Sequence, residues 1–270
     1  MRGGPPGKVT GECRRRGFLA RPAKSGYGAG NMLRTLIIAP TYNERDNLAD
    51  FVASVRVAFP EADLLIVDDA SPDGTGLLAD DLASADSQIK VRHRSGKLGL
   101  GTAYLEAFRW GLAQGYDRFF EMDADHSHDP KYLKDFVRAL DGGAHLVIGS
   151  RNISGGGVEG WGPLRHFISK GGSLYARAIL GLSVRDLTSG YKAFTRHALE
   201  AIHLDAVTSN GYSFQVELTY RAALRNLPIV EVPIVFVDRR AGQSKMSSKI
   251  FGEAISMVWR LRIDAARGLI

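Results

Sequence analysis

Asp68 and Asp69 follow the apolar run Leu64-Leu65-Ile66-Val67, and Asp123 and Asp125 follow Phe119-Phe120-Glu121-Met122. Short apolar runs with helix-like stretches on either side read as buried strands of a parallel sheet. Ligands of open α/β sheets bind outside the carboxyl ends of their strands. Side chains two apart on a strand share a face, so Asp123 and Asp125 are expected to converge on one target. Four carboxylates at one sheet edge repel one another unless a cation or bound donors neutralise them. A divalent ion with oxygen ligands, together with a nucleotide diphosphate, would meet that need.

Other strand ends carry compatible groups. Pro40-Thr41-Tyr42-Asn43-Glu44 offers an aromatic ring and a carboxylate for a base and ribose, and Asp69 an acceptor for base or ribose hydroxyls. Arg151 follows the fifth run, and Arg239 and Lys245 lie in a late polar segment, where closure would bring cations onto phosphate. Singly, each acid reads as a helix cap or turn former; their recurrence at strand ends favours a site. His126 and His128 flank the acidic cluster, but without a cysteine partner or an H-E-x-x-H pattern they read as site-edge residues, not a zinc centre. Residues 155–160 fit G-x-G-x-x-G by letter, yet they lie in a Gly-rich loop, not at a strand-to-helix joint. Gly96-Lys97 precedes Leu98, so no P-loop is present.

The elements that must position these groups follow from periodicity. Runs at 36–39, 64–67, 89–91, 119–122 and 146–148 read as strands. Between them, Leu48, Phe51, Val52 and Val55 mark one helical face, and Tyr104, Leu105, Phe108 and Leu112 another. Repeated βα units predict an α/β fold with a Rossmann-like, doubly wound, mostly parallel sheet. Asn43 is placed to cap the first helix, and Pro130 to start the one carrying Leu133, Phe136, Val137 and Leu140. Beyond Arg151 the spacing predicts helices over 163–180 and 214–224. A strand over 229–237 is demoted by Pro228 and Pro233 to an edge or bulged strand. A final amphipathic helix carries Ile250, Ile255, Val258, Trp259 and Leu261. No stretch reaches the roughly 18 apolar residues that cross a bilayer.

The formal charge of +6 does not announce a nucleic-acid binder. Seven of the 35 basic residues and one of the 29 acidic residues lie within 1–31, leaving 28 of each sign in the body. That Gly-, Pro- and Arg-rich segment has no period and no signal-peptide core; it reads as a disordered, dispensable basic tail ahead of a single domain over 32–270, the rival reading being a basic arm, through Arg14-Arg15-Arg16, attracted to anionic lipid. Cys13 is the single cysteine, so no intrachain disulfide forms, in keeping with a reducing compartment.

The motifs resemble the inverting family-2 glycosyltransferases of the GT-A fold, and among them the polyprenol (dolichol) phosphate mannose synthases. The carriers are Pro-Thr-Tyr-Asn-Glu-Arg at 40–45, Val-Asp-Asp-Ala-Ser-Pro-Asp-Gly-Thr at 67–75 and Leu-Gly-Leu-Gly-Thr-Ala-Tyr at 98–104. They continue with Met-Asp-Ala-Asp-His-Ser-His at 122–128, Gly-Ser-Arg at 149–151, Asp-Leu-Thr-Ser-Gly-Tyr at 186–191, Gly-Tyr-Ser-Phe-Gln-Val-Glu at 211–217 and Val-Asp-Arg-Arg-Ala-Gly-Gln-Ser-Lys-Met at 237–246. The Asp-Ala-Asp element alone marks only the broad superfamily; the segments at 67–75 and 98–104, with the Arg…Ser-Lys-Met loop, are more specific.

The resemblance implies that Pro40, Tyr42, Glu44, Val67 and Asp69 line a guanosine pocket. It implies that Asp123, Ala124 and Asp125 hold diphosphate and metal, with Asp125 the principal ligand and Ser127 a shorter substitute for the glutamine common in relatives. Arg151, Arg239 and Lys245 would contact donor or acceptor phosphates, with Asp125, Arg239 and Lys245 carrying catalysis. The implied reaction moves mannose from GDP-mannose to a polyprenyl monophosphate, with Mg2+ or Mn2+, on the cytoplasmic face of a membrane held peripherally. The rival readings are a UDP-sugar donor, such as glucose, on the same scaffold, and a non-catalytic sugar-nucleotide binder. A processive synthase would carry Gln-x-x-Arg-Trp, which is absent.

Overall fold

A computed structural model describes residues 33–238 and 248–270. The expected tail over 1–31, and Arg239 and Lys245 with the rest of 239–247, lie outside the described residues.

The chain runs β1 (Thr35–Thr41), α1 (Arg45–Ala58), β2 (Asp63–Asp68), α2 (Thr75–Ala85), β3 (Ile89–His93), α3 (Leu100–Ala113) and β4 (Arg118–Glu121). It continues through α4 (Leu133–Asp141), β5 (Leu146–Ser150), β6 (Gly157–Glu159), α5 (Pro163–Leu180), β7 (Lys192–Thr195) and α6 (Arg196–Ala201). The last elements are α7 (Gly211–Leu224), β8 (Ile229–Pro233), β9 (Val235–Val237) and α8 (Ser248–Ala266). Seven strands form one sheet in the order β3-β2-β1-β4-β7-β5-β8, and β6 pairs with β9 in a small second sheet.

The strands read as continuous apolar runs because both faces are covered. Leu36 and Ile38 of β1, Leu65 and Val67 of β2, and Phe119 of β4 enter one core with α3, α7 and α8. Their neighbours Ile37, Ala39, Leu64, Ile66 and Phe120 enter the other, with Leu48 and Phe51 of α1 and Phe136 of α4. Gly111 lets α3 lie close on the sheet. A Cβ there would stand 2.6 Å from Phe119 Cε1 and 2.8 Å from Leu36 Cδ2.

Two features depart from a uniform βα succession. β7 lies antiparallel between β4 and β5, so the sheet is mixed at that point. The run over 229–237 splits at the buried Ile234: β8 pairs with β5 as the sheet's edge, and β9 leaves to pair with β6. The prolines there sit as the demoted-strand reading requires.

Candidate active site

The carboxyl ends of β1 and β2 are tied by side chains reaching backbone. Asp68 Oδ1 accepts from Thr41 Oγ1 (3.1 Å) and Ser71 Oγ (2.5 Å), and Oδ2 from the Ser71 N–H (3.0 Å). Asn43 does not cap α1. Its φ is +60°, and the helix entry is capped instead from the 71–75 turn, with the Glu44 N–H donating to Thr75 Oγ1 at 3.0 Å. Of the five non-glycine residues with positive φ among those described, Asn43, Ala70 and His126 stand just beyond β1, β2 and β4. Such backbone costs of order 1–3 kcal/mol per residue and persists where surroundings impose it, commonly around sites.

Asp69 is not an open acceptor. Its Oδ1 takes Arg94 Nη1 at 2.6 Å, and Oδ2 takes the N–H groups of Leu98 (3.2 Å) and Gly99 (3.3 Å). The carboxylate thus pins the 94–99 segment against β2. The Arg94 guanidinium neutralises it, and hydrogen bonds satisfy Asp68, so the need for an outside cation narrows to the acids beyond β4. Lys97 places its ammonium 3.9 Å from the Tyr42 ring centroid. Pro40, Tyr42 and Glu44 are partly exposed at this rim, whereas the Val67 side chain is wholly buried in the core and can offer a ligand only main chain.

Asp123 and Asp125 lie past the end of β4, so strand alternation is not what brings them together. The backbone turns through His126 at φ +63°. Both carboxylates nevertheless act on one group: burial first, then the charges of Asp123, Glu121 and Asp125, push the Tyr104 hydroxyl well above its ordinary pKa. Asp125 Oδ1 accepts from the Ser127 N–H (3.1 Å) and Oγ (2.5 Å). The Ser127 hydroxyl is thereby engaged in orienting Asp125, and Ala124 is buried beside it. Among the described residues no three His, Cys, Asp or Glu side chains cluster as a complete metal cage. Two oxygen donors fit Mg2+ or Mn2+, which take one or two carboxylates and complete their shell with water and substrate phosphates.

Behind this loop lies a buried polar cluster that no sequence pattern announces. Burial raises Glu121 to about 8, against the opposing charge of Lys192. Burial likewise lowers Lys192 to about 8. Lys192 Nζ donates to the Gln215 carbonyl (2.6 Å) and Thr219 Oγ1 (2.8 Å), tying β7 to α7 beneath the acidic loop.

Beyond β5, Arg151 is locked. Its Nε and Nη2 each reach Asp186 at 2.7 Å, its N–H reaches Asp186 at 3.0 Å, and Nη2 reaches Thr188 at 2.9 Å. Asp186 is held in turn by Glu231, which accepts from its N–H at 3.0 Å. A cavity of about 90 Å³ opens beside Arg151, bordered by Asn152, Trp161, Ser169 and Lys170. Arg165 bridges both carboxylate oxygens of Asp238 at 2.8 and 2.9 Å, anchoring the start of the segment that leads to Arg239. Sequence reading found Arg151 by its strand-end position. It missed Trp161, Arg165 and Lys170, which come from a helix and loop with no strand-end signal.

A mostly parallel, doubly wound sheet with carboxylates gathered at its carboxyl edge is the GT-A architecture. The chain belongs to glycosyl transferase family 2, whose sequence pattern matches residues 36–202. It is 50% identical over 242 residues to the polyprenol monophosphomannose synthase of Mycolicibacterium smegmatis, covering 88% of this chain and 91% of that protein. It is 51% identical over 233 residues to the undecaprenyl-phosphate mannosyltransferase of Micrococcus luteus, covering 86% and 96%. Its fold matches glucosyl-3-phosphoglycerate synthase from Mycobacterium tuberculosis, solved with Mn2+, UDP-glucose and phosphoglyceric acid. That match has a TM-score of 0.62 at 19% identity, covering 85% of this chain and 80% of the other.

Proposed function

We propose that this protein transfers mannose from GDP-mannose to the phosphate of a polyprenyl monophosphate, inverting the sugar's anomeric carbon. An acceptor phosphate oxygen forms the new bond to that carbon as its bond to the GDP oxygen breaks, and the electron pair leaves with GDP. The acceptor is already anionic near neutral pH, a phosphate monoester having a second pKa of about 6. No strong general base is required, and alignment with charge stabilisation carries the rate.

The observation that supports this most is an adjacency. The Phe236 ring lies 5.8 Å from the His128 ring of the acidic loop and 5.6 Å from the Arg151 guanidinium. A site for a departing diphosphate therefore adjoins a cavity bordered by Lys170 and by the Asp186-paired Arg151, which can take an incoming phosphate. In this reading Pro40, Tyr42 and Glu44 border the guanosine, with Val67 main chain and the loop pinned by Asp69 beneath it. Asp125 and Asp123 hold Mg2+ or Mn2+, with Ala124 between them and Ser127 fixing Asp125. A bound divalent ion supplies neutralisation of the charge that develops on the leaving diphosphate. Arg151 and Lys170 face the acceptor phosphate. Arg239 and Lys245, which lie outside the described residues, would contribute positive charge to the phosphates, as the resemblance implies. The names of the two half-identical relatives support mannose and a polyprenyl phosphate as the substrates.

The acceptor's hydrocarbon stays in lipid, since each methylene brought into water costs roughly 0.8 kcal/mol. The protein therefore works peripherally at the cytoplasmic membrane surface. Among the described residues no helix is long and apolar enough to cross a membrane. α8 instead leaves Trp259 52% and Ile263 44% exposed, flanked by exposed Arg260 and Arg262.

A panel of radiolabelled sugar nucleotides, offered with a short polyprenyl phosphate and Mg2+ or Mn2+, tests the donor. Label should enter lipid from GDP-mannose. Entry from a UDP-sugar alone would replace the donor, and binding without transfer would make the protein a sensor.

A further inference from the structure

His128 is buried, yet its ring does more than fill space. Its Nδ1 stands 2.9 Å from the Asp123 backbone N–H, which donates to it. A ring nitrogen that accepts a hydrogen bond carries no proton, so in this geometry the ring hydrogen sits on Nε2. That nitrogen lies 4.0 Å from Asp123 Oδ2. One imidazole thus faces both the main chain and the carboxylate of the same aspartate.

The ring is itself held from two sides. It stacks on Tyr191, with centroids 4.8 Å apart and planes 19° apart, and meets the edge of Phe236 at 5.8 Å. Tyr191 is fixed through its hydroxyl to the Asp129 carbonyl at 3.2 Å. Gly190 runs beside the ring, where an added Cβ would stand 3.6 Å from His128 Cε1. Between Asp123 and His128 the backbone passes through His126 at φ +63°, a conformation that needs outside support in a non-glycine residue. The Ser127 bonds to Asp125 close only the inner turn, and the His128–Asp123 bond closes the whole loop.

We infer that His128 is the positioning residue for Asp123: it holds the 123–128 loop in the shape that presents both carboxylates to a divalent ion and the donor diphosphate. This role rests on the donor-site reading given above. The alternative is a ring that merely packs, and the two separate cleanly by substitution. His128→Asn places an oxygen acceptor where Nδ1 stands and discards the ring. His128→Phe keeps a ring and discards the acceptor, and His128→Leu discards both in a smaller volume should the larger ring not fit.

Binding of GDP to the full chain in the presence of Mn2+ is measured by calorimetry, and Mn2+ binding by its free-ion spin-resonance signal, with thermal melts to establish that each variant is folded. His128→Asn should stay close to wild type, whereas His128→Phe and His128→Leu should lose about ten- to hundredfold in Mn2+–GDP affinity, as outer partners of metal ligands do. Wild-type affinity in folded His128→Phe and His128→Leu would overturn the role. So would an Asn variant as weak as the Leu variant, since packing alone would then account for the residue. A folded wild-type chain that binds no GDP with Mn2+ would remove the donor site and this role with it, a result distinct from any difference among variants.

Discussion

Arg151 shows why a cation at a strand end is not automatically a free charge. Its guanidinium is paired with the fully buried Asp186, and it is 8% exposed itself. Burial alone would raise the Asp186 carboxyl, but hydrogen bonds and charge from Arg151 outweigh it and hold the pKa below the ordinary 3.8. A depressed carboxylate stabilises the fold above its unfolded pKa, and that contribution is lost as pH falls through the folded value. Asp186→Asn removes one partner of a buried pair and should cost about 3–5 kcal/mol at neutral pH. Melting temperatures of the two proteins should differ by many degrees at pH 7 and converge below about pH 3.8; a gap independent of pH would contradict the pairing. Asp125→Ala should abolish transfer while leaving the fold intact, because the leaving diphosphate loses its principal metal-bearing carboxylate. A transfer assay with metal present checks this, and wild-type turnover would refute the site. Asp123 and Asp125 were legible in the sequence because two acids closing an apolar run have few structural uses. Asp69 looked the same by type, and its partner Arg94 lies on another strand's end, where no local pattern announces the pair. Lys192 was invisible for a related reason: nothing in Lys-Ala-Phe-Thr reveals that its ammonium is buried against α7.

At the scale of elements, α3 and α8 carry the clearest tests. Alanine favours a helix over glycine by about 1 kcal/mol. At Gly111 the added carbon would meet the buried Phe119 ring at 2.6 Å, and overpacking of that kind costs about 1–3 kcal/mol. The clash should win, so Gly111→Ala should melt at a lower temperature than wild type; a higher one would mean that β4 yields freely. α8 is an amphipathic helix, a kind that can lie on a membrane surface or pack on its own domain. It packs on α5 and α7 through Val258 and Leu261 while Trp259 and Ile263 face outward, so one helix does the packing and still presents an apolar stripe among arginines. Trp259→Glu with Ile263→Glu should reduce flotation with anionic liposomes and spare turnover on a soluble short-chain acceptor. Undiminished flotation would assign membrane contact elsewhere. Strands β1, β2, β4 and β5 were legible as mainly apolar runs bounded by turn residues, and β3 through Ile89 and Val91, which alternate with charged residues. β7 was not: it has four residues, one of them a buried lysine, and its antiparallel place between β4 and β5 depends on partners far along the chain. β6 and β9 are three residues each, too short to show any period.

Across the whole molecule the sheet divides the labour. In the proposed function the ends of β1 and β2 border the nucleoside, the loop after β4 carries the acids, and the region after β5 with the β6–β9 sheet holds the cavity beside Arg151 and Lys170. Sequence periodicity put the first two regions at strand ends because successive βα units follow one another in order. The third is assembled by the chain doubling back, and its residues meet only in the folded molecule. The chemistry proposed for this site is inverting transfer of mannose between two phosphates. The most direct measurement incubates the protein with GDP-mannose, whose sugar is α-linked, a short polyprenyl phosphate and Mg2+ or Mn2+, and reads the anomeric configuration of the product by nuclear magnetic resonance. A β-linked mannosyl phosphate is the expected product. An α-linked product, or no mannosyl lipid from a folded and metal-supplied protein, would contradict it.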